Sequence, residues 1–402
     1  MTATERFLKY VKLYTTSDEN SEIRPSTARQ LDLIYQLEDE MKELGLKNIH
    51  IDSCGNVIGT VEATKGVTAP VLALVAHVDT SQDASGENVK PRIVEYSGGD
   101  IELSEGIVME ADQFPCLNDC IGNHLIVTDG TTLLGADDKA GIAEIMTAVD
   151  EILSNGLPHG ELRIVFTTDE EIGSGVDGLE VKDLACDFGY TVDGGEISCY
   201  EYENFNAASA KIHINGVSIH PGSAKDIMKN AASIACRLHC LLPADIVPEK
   251  TDGYDGFIHL HGMSGEVASA DLAYIIRDHD RNKLEEKKDI IRNAVDRIND
   301  IYGENTAELN IRDTYYNMRE IVEQHPELLT HIEKAFSDVG VEIHPTPIRG
   351  GTDGAVLTWM GLPCPNLPTG GYNFHGVYEF IPQESLELLP KAIIQLVCSF
   401  IN

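Results

Sequence analysis

Apolar residues recur along this chain with two different periods, and the period in force changes with position. Leu31, Ile34, Leu37, Met41 and Leu44 return at intervals of three or four, which predicts a helix over Ser26–Leu44 that Gly45 stops. Asn48–Ile51, Val57–Val61 and Val71–Ala76 are short apolar runs of strand length. Ile142, Ile145, Met146, Val149, Ile152 and Leu153 share one face of a helix predicted over Lys139–Leu153, and Glu161–Thr167 and Phe188–Val192 predict further strands. Strands alternating with helices predict an α/β fold, with a mostly parallel sheet covered on both faces. Residues 81–130 are polar and rich in turn formers, so a functional loop or a small subsheet is expected there.

Near Asn204 the pattern changes. Ala210–Ile214 alternates like a half-exposed strand, Ala224–Leu241 is helical, Gly256–Gly262 and Ala270–Arg277 are strands, Asn282–Ile301 is a charged amphipathic helix, and Ala307–Ile311 is a strand. That β-α-β-β-α-β order is the ferredoxin-like plan. It predicts an inserted α+β domain over 205–314, inside a discontinuous domain made of 1–204 and 315–402. Helices around Pro326–Val339 and Glu384–Phe400 complete the larger domain.

A length of 402 residues agrees with two domains, and 42% hydrophobic content is enough for both cores. The formal net charge of −36 opposes binding to nucleic acid and to anionic membranes. No apolar run reaches the roughly 20 residues that span a bilayer, and Met1–Tyr10 reads as a charged amphipathic helix rather than a secretory leader. Nine cysteines lie scattered. Cys116 and Cys120, and Cys236 and Cys240, have a spacing that metal pairs use, but packing is the simpler reading, with the second pair as small buried thiols on a helix. Reduced thiols in the cytoplasm fit this usage.

The chemistry-bearing residues sit where strands end or glycines cluster. His77 and Asp79 follow the apolar run from Val71, Asp137 lies in Gly135–Lys139, Glu170 and Glu171 in Thr167–Gly173, Asp193 in Val192–Gly195, and His375 in Asn373–Gly376. In α/β proteins such places collect catalytic groups. Imidazoles and carboxylates without sulfur suit Zn²⁺, Mn²⁺ or Co²⁺. Asp79, beside His77, can accept from the imidazole and orient it. Asp137, ahead of a helix, can bridge a pair of cations. Of Glu170 and Glu171, one can bind metal while the other, raised in pKa by its acidic surroundings, takes a proton from the attacking water. Arg349 is either a surface charge or a clamp for a substrate carboxylate, and His220, before Pro221 and Gly222, either starts a turn or serves the chemistry.

Ala76–Thr80, Thr131–Gly141, Phe166–Gly173, Tyr190–Gly195, Ser218–Gly222, Arg349–Gly354 and Asn373–Gly376 together resemble the M20 metallopeptidases over nearly the whole chain. The resemblance implies that His77 and Asp193 hold one Zn²⁺, that Glu171 and His375 hold the other, and that Asp137 bridges them. It implies that Asp79 orients His77, that Glu170 is the general base, and that the Asp137–Asp138 peptide is cis. His220, Arg277 and Arg349 would contact a small peptide, with the inserted domain serving as lid and dimerisation domain of a homodimer. The implied activity is release of the N-terminal residue from tripeptides. Related carboxypeptidases and N-acyl amino acid deacylases use the same ligand set and stay open as alternatives.

Overall fold

The computed structural model describes residues 1–401, which separate into two compact units. The larger comprises Met1–Tyr202, Met318–Thr346 and Thr352–Asn402. The smaller comprises Glu203–Asn317 together with Pro347–Gly351, a return segment that chain periodicity alone does not announce.

The larger unit is built on a six-stranded sheet in the order Lys47–Ile51, Val57–Val61, Leu162–Thr167, Leu72–His77, Phe188–Gly194 and Asn366–Pro368. The last four of these strands run parallel to one another, and the first two are antiparallel additions at one edge. Leu72–His77 is buried at every position, as a strand covered on both faces must be. Leu72, Leu74 and Ala76 join a core with the helices Ala3–Tyr10, Gln30–Leu44, Ala136–Asn155 and Gln383–Ser399, while Ala73 and Val75 point the other way, towards Leu179, Leu184, Leu357 and Leu362. The polar stretch 81–130 forms small sheets, with Arg92–Glu95 pairing to His124–Val127 and Ile101–Ser104 to Ile107–Met109.

Two helices begin later than their periodicity predicts. The helix expected from Ser26 starts at Gln30, because the Ser26 N–H is held by Asp169 at 2.7 Å and the Thr27 hydroxyl by the Thr16 carbonyl at 2.8 Å. The helix expected over Ala224–Leu241 covers Ala231–His239. Asn230 caps it through the Ser233 N–H at 3.0 Å, and Lys229 is drawn into a β-bridge with Val217. Its buried stripe is Ala231, Ile234, Ala235 and Leu238, so Cys236 and Cys240 are exposed rather than packed inside.

The smaller unit has the order Asn206–Asn215, Ala231–His239, Phe257–Gly265, Ser269–Asp278, Arg281–Tyr302 and Ala307–Tyr315. Its sheet is antiparallel throughout, with Phe257–Gly265 at one edge and Ala307–Tyr315 at the other, and Ser269–Asp278 and Asn206–Asn215 between them. This is the ferredoxin-like arrangement, with the two helices packed on one face over Ala208, Ala210, Ile212, Leu272, Tyr274 and Ile276.

Candidate active site

Parallel neighbouring strands deliver their carboxyl ends to one edge of a sheet. His77 ends Leu72–His77, Asp193 lies one residue before the end of Phe188–Gly194, and Glu170 and Glu171 form a 3₁₀ turn just beyond Leu162–Thr167. Asp137 comes from the segment entering Ala136–Asn155, where Asp137 and Asp138 depart from helical dihedrals and the peptide between them is cis. That helix lies against the strand carrying Asp193: a Cβ placed on Gly141 would stand 1.9 Å from the Val192 carbonyl oxygen, so only glycine permits the approach. His375 arrives from a loop near the chain end, in a left-handed conformation with φ of 63°.

These acidic and imidazole groups form two linked clusters. His77 Nε2 lies 2.9 Å from Asp137 Oδ1, 3.5 Å from Asp193 Oδ1 and 4.0 Å from Glu170 Oε2. His375 Nε2 lies 3.1 Å from Asp137 Oδ2 and 3.1 Å from Glu171 Oε2. The two oxygens of Asp137 therefore face different imidazoles. Asp79 does more than accompany its histidine. His77 Nδ1 is closer to the Asp79 main-chain oxygen, at 3.1 Å, than to its carboxylate, at 3.4 Å. The Asp79 carboxylate accepts the N–H groups of Glu170 and Glu171 at 3.0 and 3.2 Å, so it ties the His77 strand to the turn bearing both glutamates.

Other acids at the site have no clear signal in the sequence. Asp138 accepts the His77 N–H at 3.1 Å and the Gly141 N–H at 3.2 Å. Asp353 is buried and accepts the Thr167 hydroxyl at 2.7 Å. Glu379 accepts main-chain N–H groups around Asp137. Asp83 Oδ2 lies 3.4 Å from His375 Nδ1 and accepts the Ser81 hydroxyl. Asp138 and Asp353 sit inside Thr131–Gly141 and Arg349–Gly354, so their place in a motif is a signal, though not one that tells what they hold. Asp83 and Glu379 stand outside every such stretch.

The electrostatics of the cluster are one-sided. Burial pushes Glu171 up to about 7, Asp193 up to about 6, Asp353 up to about 7 and Glu379 up to about 7. Burial likewise raises Glu170 well above the ordinary carboxylate range. His375 is pushed up to about 11 by its hydrogen bonds to Asp137 and Glu171. Burial pulls His77 down, but the charge of Asp193 and hydrogen bonds to Asp137, Asp193 and Asp79 more than reverse it. Asp137 stays low despite its burial, because both imidazoles face it. Such a cluster lacks positive charge. His77, Asp137 and Glu171 bring donor atoms close enough to share one cation, as do His77, Asp138 and Asp193, and the buried Glu171 Oε1 has no hydrogen-bond partner among the described residues. Nitrogen and oxygen donors with no sulfur fit a divalent cation of the Zn²⁺, Mn²⁺ or Co²⁺ kind.

The remaining three candidates belong to the smaller unit. His220 is exposed and caps the Pro221–Ser223 turn, its Nδ1 accepting the Gly222 N–H at 3.1 Å. Arg277 lies over the Tyr315 ring at 5.2 Å and donates to the Ile276 carbonyl at 3.0 Å. Arg349 is engaged within its unit: it donates to the carbonyls of Gly253 and Asp255 at 2.8 and 2.9 Å and to Thr251 Oγ1 at 3.1 Å, and its guanidinium lies over Phe205.

An α/β unit with paired imidazole–carboxylate clusters at its strand ends, carrying a ferredoxin-like insert, defines a metallohydrolase of two-cluster design. Residues 202–306 match the family model described as the peptidase dimerisation domain of M20. The chain is 51% identical to peptidase T of Caldanaerobacter subterraneus subsp. tengcongensis, over 98% of this chain and 97% of that one. A tripeptidase structure from Staphylococcus aureus superposes with a TM-score of 0.78 at 21% identity, covering 99% of this chain and 98% of that one. A Bacillus subtilis protein described as a dinuclear metal-binding peptidase of the M20 family superposes at 0.63 with 13% identity, covering 99% and 98%. The chain belongs to the peptidase T family of M20 metallopeptidases.

Proposed function

We propose that the chain is an aminopeptidase that removes the N-terminal residue from tripeptides, with a pair of Zn²⁺ ions, replaceable by Mn²⁺ or Co²⁺, as its cofactors. The observation that carries the metal part is Asp137, whose oxygens lie 2.9 Å from His77 Nε2 and 3.1 Å from His375 Nε2. A carboxylate so divided suits a bridge, with His77 and Asp193 on one side and Glu171 and His375 on the other. When bound, the cations supply Lewis acidity to the scissile carbonyl and make the attacking water more acidic.

The chain's own residues do the rest. Glu170 is the general base: it takes the proton from the attacking water and returns it to the departing amine, a task suited to a carboxylate whose pKa burial has raised. Asp79 keeps Glu170 and His77 in register by holding the glutamate turn through its backbone. His220, Arg277 and Arg349 are proposed contacts to the peptide, and for Arg349 the role requires exchanging main-chain carbonyls for the substrate carboxylate. The substrate class is supported by kinship with peptidase T, and a homodimer through the smaller unit by the dimerisation-domain match. A cytoplasmic setting is supported by nine cysteines, all free. No helix among the described residues is long and apolar enough to cross a membrane.

The test is direct. Purified chain with Zn²⁺ and a tripeptide releases the free N-terminal amino acid, and acetylating the peptide's amino terminus stops release. Continued cleavage of the acetylated peptide would assign a deacylase, if acetate is released, or a carboxypeptidase, if the C-terminal residue is, and no release from the free peptide with Zn²⁺ bound would overturn the proposal.

A further inference from the structure

Glu379 is an acid held at 1% exposure. Its Oε2 accepts the N–H of Leu134 at 2.7 Å and of Gly135 at 2.8 Å, and its Oε1 accepts that of Asp137 at 3.1 Å. Convergent N–H groups on one carboxylate form a charge-assisted clasp. What they hold is the main chain on which Asp137 is mounted.

The other side of the clasp is the His375 loop. Tyr372 and Phe380 exchange backbone hydrogen bonds of 2.9 and 3.1 Å, closing 372–380 at its base. Inside, Asn373 Nδ2 donates to the Tyr378 carbonyl at 3.1 Å and the Glu379 N–H to the Gly376 carbonyl at 3.2 Å. Asn373 and His375 both take positive φ, 55° and 63°, a conformation that non-glycine residues adopt only where surroundings impose it. The loop therefore grips Asp137 twice. Glu379 holds its N–H, and His375 Nε2 lies 3.1 Å from its carboxylate.

The Asp137 and Glu379 segments are 242 residues apart in the chain. Removing the clasp leaves buried N–H groups without their acceptor and frees one loop to shift against the other. His77 and Asp193 stand on adjoining strands of the central sheet and do not depend on it. We propose that Glu379 is a positioning residue that sets the Asp137, Glu171 and His375 half of the site, so that the affinity of that half for a divalent cation depends on its carboxylate. The inference rests on reading Asp137 and His375 as ligands.

Calorimetric titration of the metal-free full chain with Zn²⁺ alone tests it, without reference to peptide hydrolysis. The unaltered chain binds two equivalents. In Glu379→Gln one equivalent loses roughly 10–100-fold in affinity, the size expected for a residue that orients a ligand, and the other, which shares only Asp137 with that half, loses less. Amide exchange in 133–138 rises in the same variant while that in Leu72–His77 does not, a contrast that general loosening would erase. Glu384→Gln is the control: Glu384 holds the His124 N–H at 2.9 Å further along the same segment, and its loss leaves both equivalents unchanged. Should Glu379→Gln not fold, Glu379→Asp, which keeps the charge and shortens its reach, takes its place in the titration, with the same loss expected at one of the two equivalents. Two equivalents of unchanged affinity in the variant overturn the clasp. Fewer than two in the unaltered chain overturn the ligand reading beneath it.

Discussion

In the smaller unit, buried charges find each other. Asp278 and Lys287 meet at 2.5 Å, and Lys288, also buried, meets Glu285 at 2.6 Å and Asp313 besides. In the larger unit, Asp79, Asp138, Asp353 and Glu379 are buried around His77, and the cationic partners on hand are imidazoles. Lys139 is buried there too, but it donates to the Leu13 carbonyl at 2.7 Å, and burial pushes it down to about 7. One unit is electrostatically complete as folded. The other has gathered acids beyond what its own side chains neutralise, which is the condition of a site built for a positively charged guest.

The comparison can be broken or sharpened, beginning with the largest effect. Glu170→Ala lowers kcat by roughly a thousandfold with both cations still bound, because the proton carrier is lost and the ligands are not. Tripeptide turnover alongside elemental analysis checks it, and near-normal turnover removes Glu170 from its role. Asp278→Ala strands the buried Lys287 ammonium and destabilises the smaller unit by about 3 kcal/mol, the cost of an unpaired interior charge. Urea unfolding measures that loss, and an unchanged midpoint would mean that the pair is not what completes this unit.

Gly141→Ala introduces a Cβ 1.9 Å from the Val192 carbonyl oxygen and forces the Asp137 helix away from the Asp193 strand. The expected cost is about 2 kcal/mol, with weakened Zn²⁺ binding, whereas an added methyl on the solvent side of the same helix costs neither. Urea unfolding and Zn²⁺ titration check both parts. A further effect, which grows with pH, concerns Glu144, which is buried with both oxygens unpartnered among the described residues and is raised well above the ordinary carboxylate range by burial. Its folded pKa exceeds its unfolded one, so the native state holds the extra proton as pH rises past about 4.5. The unfolded state then gains on the native state by up to about 1.4 kcal/mol per pH unit until the folded pKa is reached. Glu144→Gln removes that slope. Urea midpoints between about pH 5 and 8 then decline less than in the unaltered chain, and parallel declines would show that Glu144 is ionised in the fold.

Much of the site is legible in the chain because its parts sit in short motifs at strand ends. Apolar runs announce Leu72–His77, Leu162–Thr167 and Phe188–Gly194, and the polar residue that interrupts or follows each run is conspicuous. Glu379 has no such frame: it stands between Tyr378 and Phe380 with nothing nearby to suggest a role. The glycine-rich neighbourhood of Arg349 does not announce that its donors are directed to the carbonyls of Gly253 and Asp255. Helix starts escape periodicity where a distant partner competes for the first turn, as Asp169 does for Ser26.

Composition and periodicity by themselves determined the α/β core, the ferredoxin-like insert and the kinds of donor atoms available, because hydrophobic spacing and side-chain chemistry are local properties. Tertiary structure alone decided which oxygen of Asp137 faces which imidazole, and that Glu379 holds the Asp137 backbone. Those depend on contacts between residues up to 242 positions apart, and a hydrogen bond across such a span is set by how sheets and loops pack, for which a linear pattern carries no signal.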